Sequence, residues 1–93
     1  MNTTKQACSK EPFSLDWSAF YALIGLDPRV NQISSSVWVI TGGVSIDLES
    51  NSGGVTTALV SGGTVGETAT IKNTIQVDGG TYKDCRTITL AIT

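Results

Sequence analysis

Asp47 and Glu49 stand two residues apart in the stretch Val44 to Ser50, which alternates apolar and polar. As a strand, this stretch would turn both carboxylates to one face. Two acids on one face are a minimal set for glycoside hydrolysis or for calcium binding. Neither use is expected here, because no cleft is visible that would raise one pKa above the other, and exposed acids are the default. Gly62-Gly63-Thr64-Val65-Gly66 has the glycine density of a phosphate-cradling loop. Such loops open a helix whose first amides meet the phosphate. A strand pattern follows instead and no Lys is in place, so the segment reads as a hairpin turn. Cys8 and Cys85 are too few for a structural zinc site, which wants four ligands. They could form one disulfide, but the start MNTTKQACSKEPF has no apolar signal core, so free thiols in a soluble intracellular product are expected. The chain has no His, which removes Ser-His and Cys-His nucleophile pairs and imidazole metal sites. No enzyme, no cofactor and no metal are expected.

Six basic residues stand against eight acidic ones, for a net charge of −2. The basic residues are scattered, with no stripe to displace counterions from phosphates and no polybasic patch. Nucleic acid and membrane are therefore not expected partners.

Twenty-nine of the 93 residues are Thr, Val or Ile, and ten more are Gly. Side chains stiff at χ1 fit a pleated surface better than a helix, so the chain should be all-β. At this length it buries only about 60–65% of the surface its unfolded form exposes, enough for one thin core. Residues 1–12 hold three charges and little to bury, and read as an N-terminal arm, disordered in isolation. Residues 13–93 read as one antiparallel sandwich. Its strands run over residues 13–17, 33–40, 44–50, 55–61, 67–77 and 81–92, punctuated by Gly-rich turns. Residues 18–26 fit either a helical turn or an irregular crossing.

Within those strands, Val44, Ile46 and Leu48 point inward, as do Ala69, Ile71, Asn73, Ile75 and Val77 and, later, Ile88, Leu90 and Ile92. Trp17 and Trp38 read as core anchors. Asn73 and Arg86 fall in the apolar phase of their strands. Asn73 should satisfy its amide through structural hydrogen bonds, and Arg86 should pair with Asp84 or Asp16. Phe20, Tyr21 and Ile24 belong either to the core or to an exposed apolar patch that binds a partner. The other candidate partner-binding residues lie in the arm: Asn2, Thr3, Thr4, Lys5 and Gln6.

From Phe13 to Ile92 the sequence resembles the phage fiber–tail adaptor family of small virion proteins. The resemblance lies in Leu15-Asp16-Trp17-Ser18, Ile33 with Ser36-Val37-Trp38-Val39, and Val60-Ser61-Gly62-Gly63-Thr64-Val65-Gly66. It continues through Asn73-Thr74-Ile75, Gly79-Gly80-Thr81-Tyr82 and Arg86-Thr87-Ile88-Thr89-Leu90. The resemblance implies an immunoglobulin-like β-sandwich in the virion, joining tail or neck parts to fibers or an adjacent ring without catalysis. Thr68-Ala69-Thr70 departs from the pattern, standing where an aromatic often occurs, and residues 1–12 lie outside it. The implied partners are other virion proteins, with a cyclic homo-oligomer in the assembly and assembly in the host cytoplasm. A flexible arm would add a strand to a neighbour or lie in its groove. Deleting residues 1–10 would then leave the domain folded and abolish incorporation. The alternative readings are a capsid-decorating or carbohydrate-binding module, with Tyr82 as one aromatic of a sugar platform, and a small soluble regulator.

Overall fold

Alternation of side chains decides which residues face inward, and backbone pairing decides where each strand lies. The computed structural model describes residues 2–93; Met1 lies outside the described residues. The elements are β1 (Asn2–Lys5), β2 (Lys10–Asp16), α1 (Ser18–Ile24), β3 (Ile33–Thr41), β4 (Val44–Ser52), β5 (Val55–Gly62), β6 (Thr68–Val77) and β7 (Tyr82–Ile92). One sheet has the order β1-β7-β6-β3 and the other β2-β5-β4. All pairings are antiparallel except β1 with β7, which is parallel. The molecule is elongated, 41 × 20 × 16 Å.

The two sheets share one core. Leu15, Ala58 and Val60 come from one sheet, and Ala69, Ile71, Ile75, Val77, Ile88, Leu90 and Ile92 from the other. The inward phase expected for β6 and β7 is the observed one: every second residue from Ala69 to Val77 is buried. Thr68-Ala69-Thr70 needs no aromatic, because Ala69 meets the β3–β4 turn. A Cβ on Gly42 would lie 2.7 Å from the Ala69 Cα, and Gly42 has φ +89°. Only a residue without a side chain lets that turn press against β6.

In residues 18–26 the helical alternative holds. Trp17 closes β2 and donates its N–H to the Gly54 carbonyl at 2.9 Å, and Asp16 Oδ1 accepts the Ser18 N–H at 2.9 Å, satisfying one free donor of the first turn. Gly25, at φ 74°, ends the helix in the left-handed conformation. Phe20 and Tyr21 are buried and Ile24 packs half-buried against the core, so these three form no exposed partner patch. Trp17 and Phe20 meet edge to face at 6.2 Å, and Phe20 meets Tyr21 in the same way at 6.4 Å. This aromatic cluster closes one end of the core, and the Tyr21 hydroxyl ties down the following loop by donating to the Asn31 carbonyl.

The N-terminal segment is the main correction. Residues 2–5 pair with Thr89 to Ile92 of β7, and β2 starts at Lys10, three residues before the expected strand. No boundary falls at residue 12, since β2 crosses it. Lys5 is 1% exposed, and its ammonium donates to the carbonyls of Gln6 (2.8 Å), Ser9 (2.6 Å) and Gly62 (2.8 Å). The segment is held by a backbone ladder and one buried cation rather than by apolar area, which is why counting apolar residues made it look loose. It follows that a chain lacking residues 1–10 loses an edge strand and this cation, and the expectation that it stays folded is withdrawn.

A second correction falls in β4. The register with β5 shifts between Ile46 and Leu48, so Asp47 is bulged and the phase reverses. Ile46 opposes Val60 of the core face, whereas Leu48 opposes Leu59 on the outer face and is 68% exposed. Leu48 is therefore not a core residue. The bulge also separates the acids: Glu49 opposes buried Ala58, while Asp47 stays on the outer face against Lys10 at 3.3 Å.

Candidate functional site

Three sets of residues remain once the core is accounted for: a polar relay between the sheets, a cation over Trp17, and the apolar residues left outside.

The relay runs through the middle of the molecule. Trp17 Nε1 donates to Thr56 Oγ1 at 2.9 Å, and Thr56 Oγ1 donates to Asn73 Oδ1 at 2.6 Å. Asn73 Nδ2 then donates to Ser36 Oγ at 2.9 Å and to the Val37 carbonyl at 3.2 Å. Trp17, Thr56 and Asn73 are each fully buried. The chain of bonds joins β5 in one sheet to β6 and β3 in the other and fixes the amide orientation of Asn73. Asn73 thus has its amide oxygen and nitrogen both bonded inside the core. Thr56 was missed, although it shares the inward phase of Ala58 and Val60 in β5; a Thr in that phase is the signal that could have found it.

Arg86 is half-buried and forms no close salt bridge with Asp84 or Asp16, although, after the Ser18 backbone N–H, its charge helps to hold the Asp16 carboxyl below its ordinary value. Its guanidinium lies 4.6 Å from the centroid of the Trp17 ring and donates to the Asp16 carbonyl at 3.1 Å. Asp84 instead accepts the backbone N–H of Cys85 at 2.8 Å. Arg86 thus covers the open face of Trp17 and holds the end of β2. Replacing it with Met is expected to cost about 1 kcal/mol, because the cation–ring contact and one charge-assisted bond are lost together. Lys should not restore it, since only the planar group both stacks and bonds sideways. Urea denaturation of the three chains checks this, and equal midpoints would contradict it.

Trp38 is only half-buried, packed on the core from edge strand β3, and its Nε1–H is buried without an acceptor. Asn2, Thr3, Thr4 and Gln6 are exposed along the outer edge of β1, while Lys5 points inward. Those five residues do not form one surface. Tyr82 packs half-buried against the core. Cys8 and Cys85 are exposed free thiols.

The acids do structural work. Glu11 is held below its ordinary value of 4.5, first by the Ser9 hydroxyl. Asp16 is held below 3.8, first by the Ser18 backbone N–H. Asp47 is held below 3.8 by hydrogen bonds from Ser61 and then Lys10. A lowered pKa means that the folded chain favours the charged carboxylate. That contribution is complete above the ordinary carboxylate range and is lost as pH falls through the folded values. With no His to titrate, the melting temperature should stay level from pH 7 to about 5 and fall below about pH 4. Melting curves between pH 7 and 2 test this; a maximum at the acid end would contradict it.

Among the described residues, no three His, Cys, Asp or Glu side chains come together as a metal site. A surface hollow of about 410 Å³ is lined by Leu48, Glu49, Ser50, Thr57 and Leu59 of β4 and β5. Leu23 (82% exposed) and Val30 (77%) stand at the α1 end of the molecule, and Val65 (69%) at the other. They are at opposite ends because Asp16, just before α1, pairs with the first residue of β5, whereas Val65 follows its last.

The chain is a two-sheet β domain with exposed apolar residues at both ends, a class defined by its surfaces. Within that class the chain is particular: residues 5–91 match the model of the family Gp77, described as podophage GP4 fiber-tail adaptor protein gp77, and the chain belongs to that family. The match begins at Lys5, so residues 5–12 of the segment that the sequence resemblance left out lie inside the family's pattern. No curated protein and no solved structure matches the chain.

Proposed function

We propose that the protein is a structural adaptor of the phage particle that joins a tail or neck component to a fiber or an adjacent ring. The family match over residues 5–91, which spans both sheets, carries this reading. The shape agrees with it. A 41 Å body with Leu23 and Val30 at one end and Val65 at the other offers two separate contacts, as a joining part requires. Exposed apolar side chains at the tips are the kind of surface that another protein covers.

We read the fold as an immunoglobulin-like sandwich. In support, β2-β5-β4 corresponds to strands B, E and D, and β3-β6-β7 to strands C, F and G. The first strand is moved beside the last, where it runs parallel to it. Because β1 is used in its own sheet, docking runs through the ends and edges of the domain rather than through a detachable arm.

Quantitative mass spectrometry of purified particles, scaled to the major capsid protein, tests the role. About six to twelve copies per particle, as a cyclic ring gives, is the expected result. Hundreds of copies would make the chain a capsid decoration instead, and none would remove it from the virion.

A further inference from the structure

Proteins guard the edges of their sheets with charge, proline, bulges or short strands. Three of the four edges here are guarded. β1 has four residues, β2 carries Lys10, Glu11, Pro12 and Asp16, and β4 carries Asp47 in its bulge and Glu49. The fourth, β3, reads ISSSVWVIT: nine residues with no charge and no proline, lying outermost beside β6. Val37 is 52% and Val39 55% exposed on its outer face. Its bulge falls at Ser34, leaving Ser35 to Thr41 in regular register.

The geometry points to β3 as a homotypic interface, pairing antiparallel with β3 of a second copy of this chain about a two-fold axis at Val37. The occupant follows from the order of side chains. The strand has a small half, Ser34 to Ser36, and a large half, Val37 to Ile40. Antiparallel pairing about Val37 sets Val37 against its own copy and the larger residues beyond it against small ones, with Trp38 opposite Ser36 of the partner subunit and Val39 opposite Ser35 of the partner subunit. A two-fold perpendicular to the sheet keeps outer residues with outer ones, as directly opposed pairs require. Neither strand brings a charge to repel the other. The product is one eight-stranded sheet, within the usual range for open sheets. This inference concerns the isolated chain and does not rest on the virion role.

Analytical ultracentrifugation of the full chain tests it. A monomer–dimer equilibrium is expected with a dissociation constant on the order of tens of micromolar, since an edge contact is at the small end of interfaces. Val37→Lys sets like charges directly opposite each other and should weaken the dimer at least about tenfold while leaving the melting temperature of the monomer unchanged. In a Cys8→Ser, Cys85→Ser background, Val37→Cys should crosslink under mild oxidation and Val30→Cys should not. A chain that stays monomeric up to about 1 mM, a Val37→Lys chain that dimerises normally, or equal crosslinking at both positions would overturn the inference.

Discussion

Lys5→Met is expected to lower stability by about 3 kcal/mol, or roughly 12–24 °C in melting temperature for a domain of this size. The substitution keeps most of the buried aliphatic stem and removes only the ammonium. That group spends all three of its donors on carbonyls, of Gln6, Ser9 and Gly62. Two belong to the β1–β2 turn and the third to the end of β5, so one atom clamps the start of the chain in one sheet to the other sheet. Without it, the Ser9 and Gly62 carbonyls lose this donor, while the Gln6 carbonyl keeps the Ser9 N–H and hydroxyl, and a buried unsatisfied group costs about 1–3 kcal/mol. Only part of this is recovered by water, because Lys5 is 1% exposed. Removing residues 1–10 altogether should be worse, since β7 then loses its parallel neighbour and Ala7 no longer donates to the Thr93 carbonyl. That chain should show no cooperative melting transition. A Lys5→Met chain that melts with the parent would show that the clamp is ornamental.

The same residue marks where sequence and structure part. The strands from Ile33 onward were legible because their burial alternates with period two, and β6 keeps that alternation over its whole length. Alternation fails wherever the backbone inserts a residue. At Asp47 a single bulge sends Leu48 out to solvent and parts the two carboxylates, and nothing in VSIDLES announces it. The N-terminal segment was illegible for another reason. Its stabilisation comes from main-chain pairing to a strand 87 residues away and from a buried charge, two terms that composition does not register. Asn73 and Arg86 were legible as anomalies, polar residues in an apolar phase, but their partners were not. Asn73 meets Thr56, and Arg86 meets a ring and a carbonyl rather than an acid.

The relay makes the sharpest energetic test, because its members are buried and depend on one another. Asn73→Leu removes the acceptor of the Thr56 hydroxyl and the donor to Ser36 and Val37, and should cost about 3 kcal/mol. Thr56→Val conserves shape and leaves both Trp17 Nε1 and Asn73 Oδ1 without a partner, for about 2 kcal/mol. Were these independent losses, the double variant would cost their sum. They are not independent, since much of each single cost is the penalty of stranding the other partner in a low-dielectric core. Removing both ends of the Thr56–Asn73 bond strands fewer groups, so the double variant should fall short of the sum by about 1 kcal/mol or more. Chemical denaturation of the four chains measures this directly. A shortfall means that the sheets are joined by a connected network, which restricts how they pair as well as how strongly they hold. Strict additivity would mean instead that apolar packing alone aligns the sheets and that Thr56 and Asn73 are merely tolerated inside.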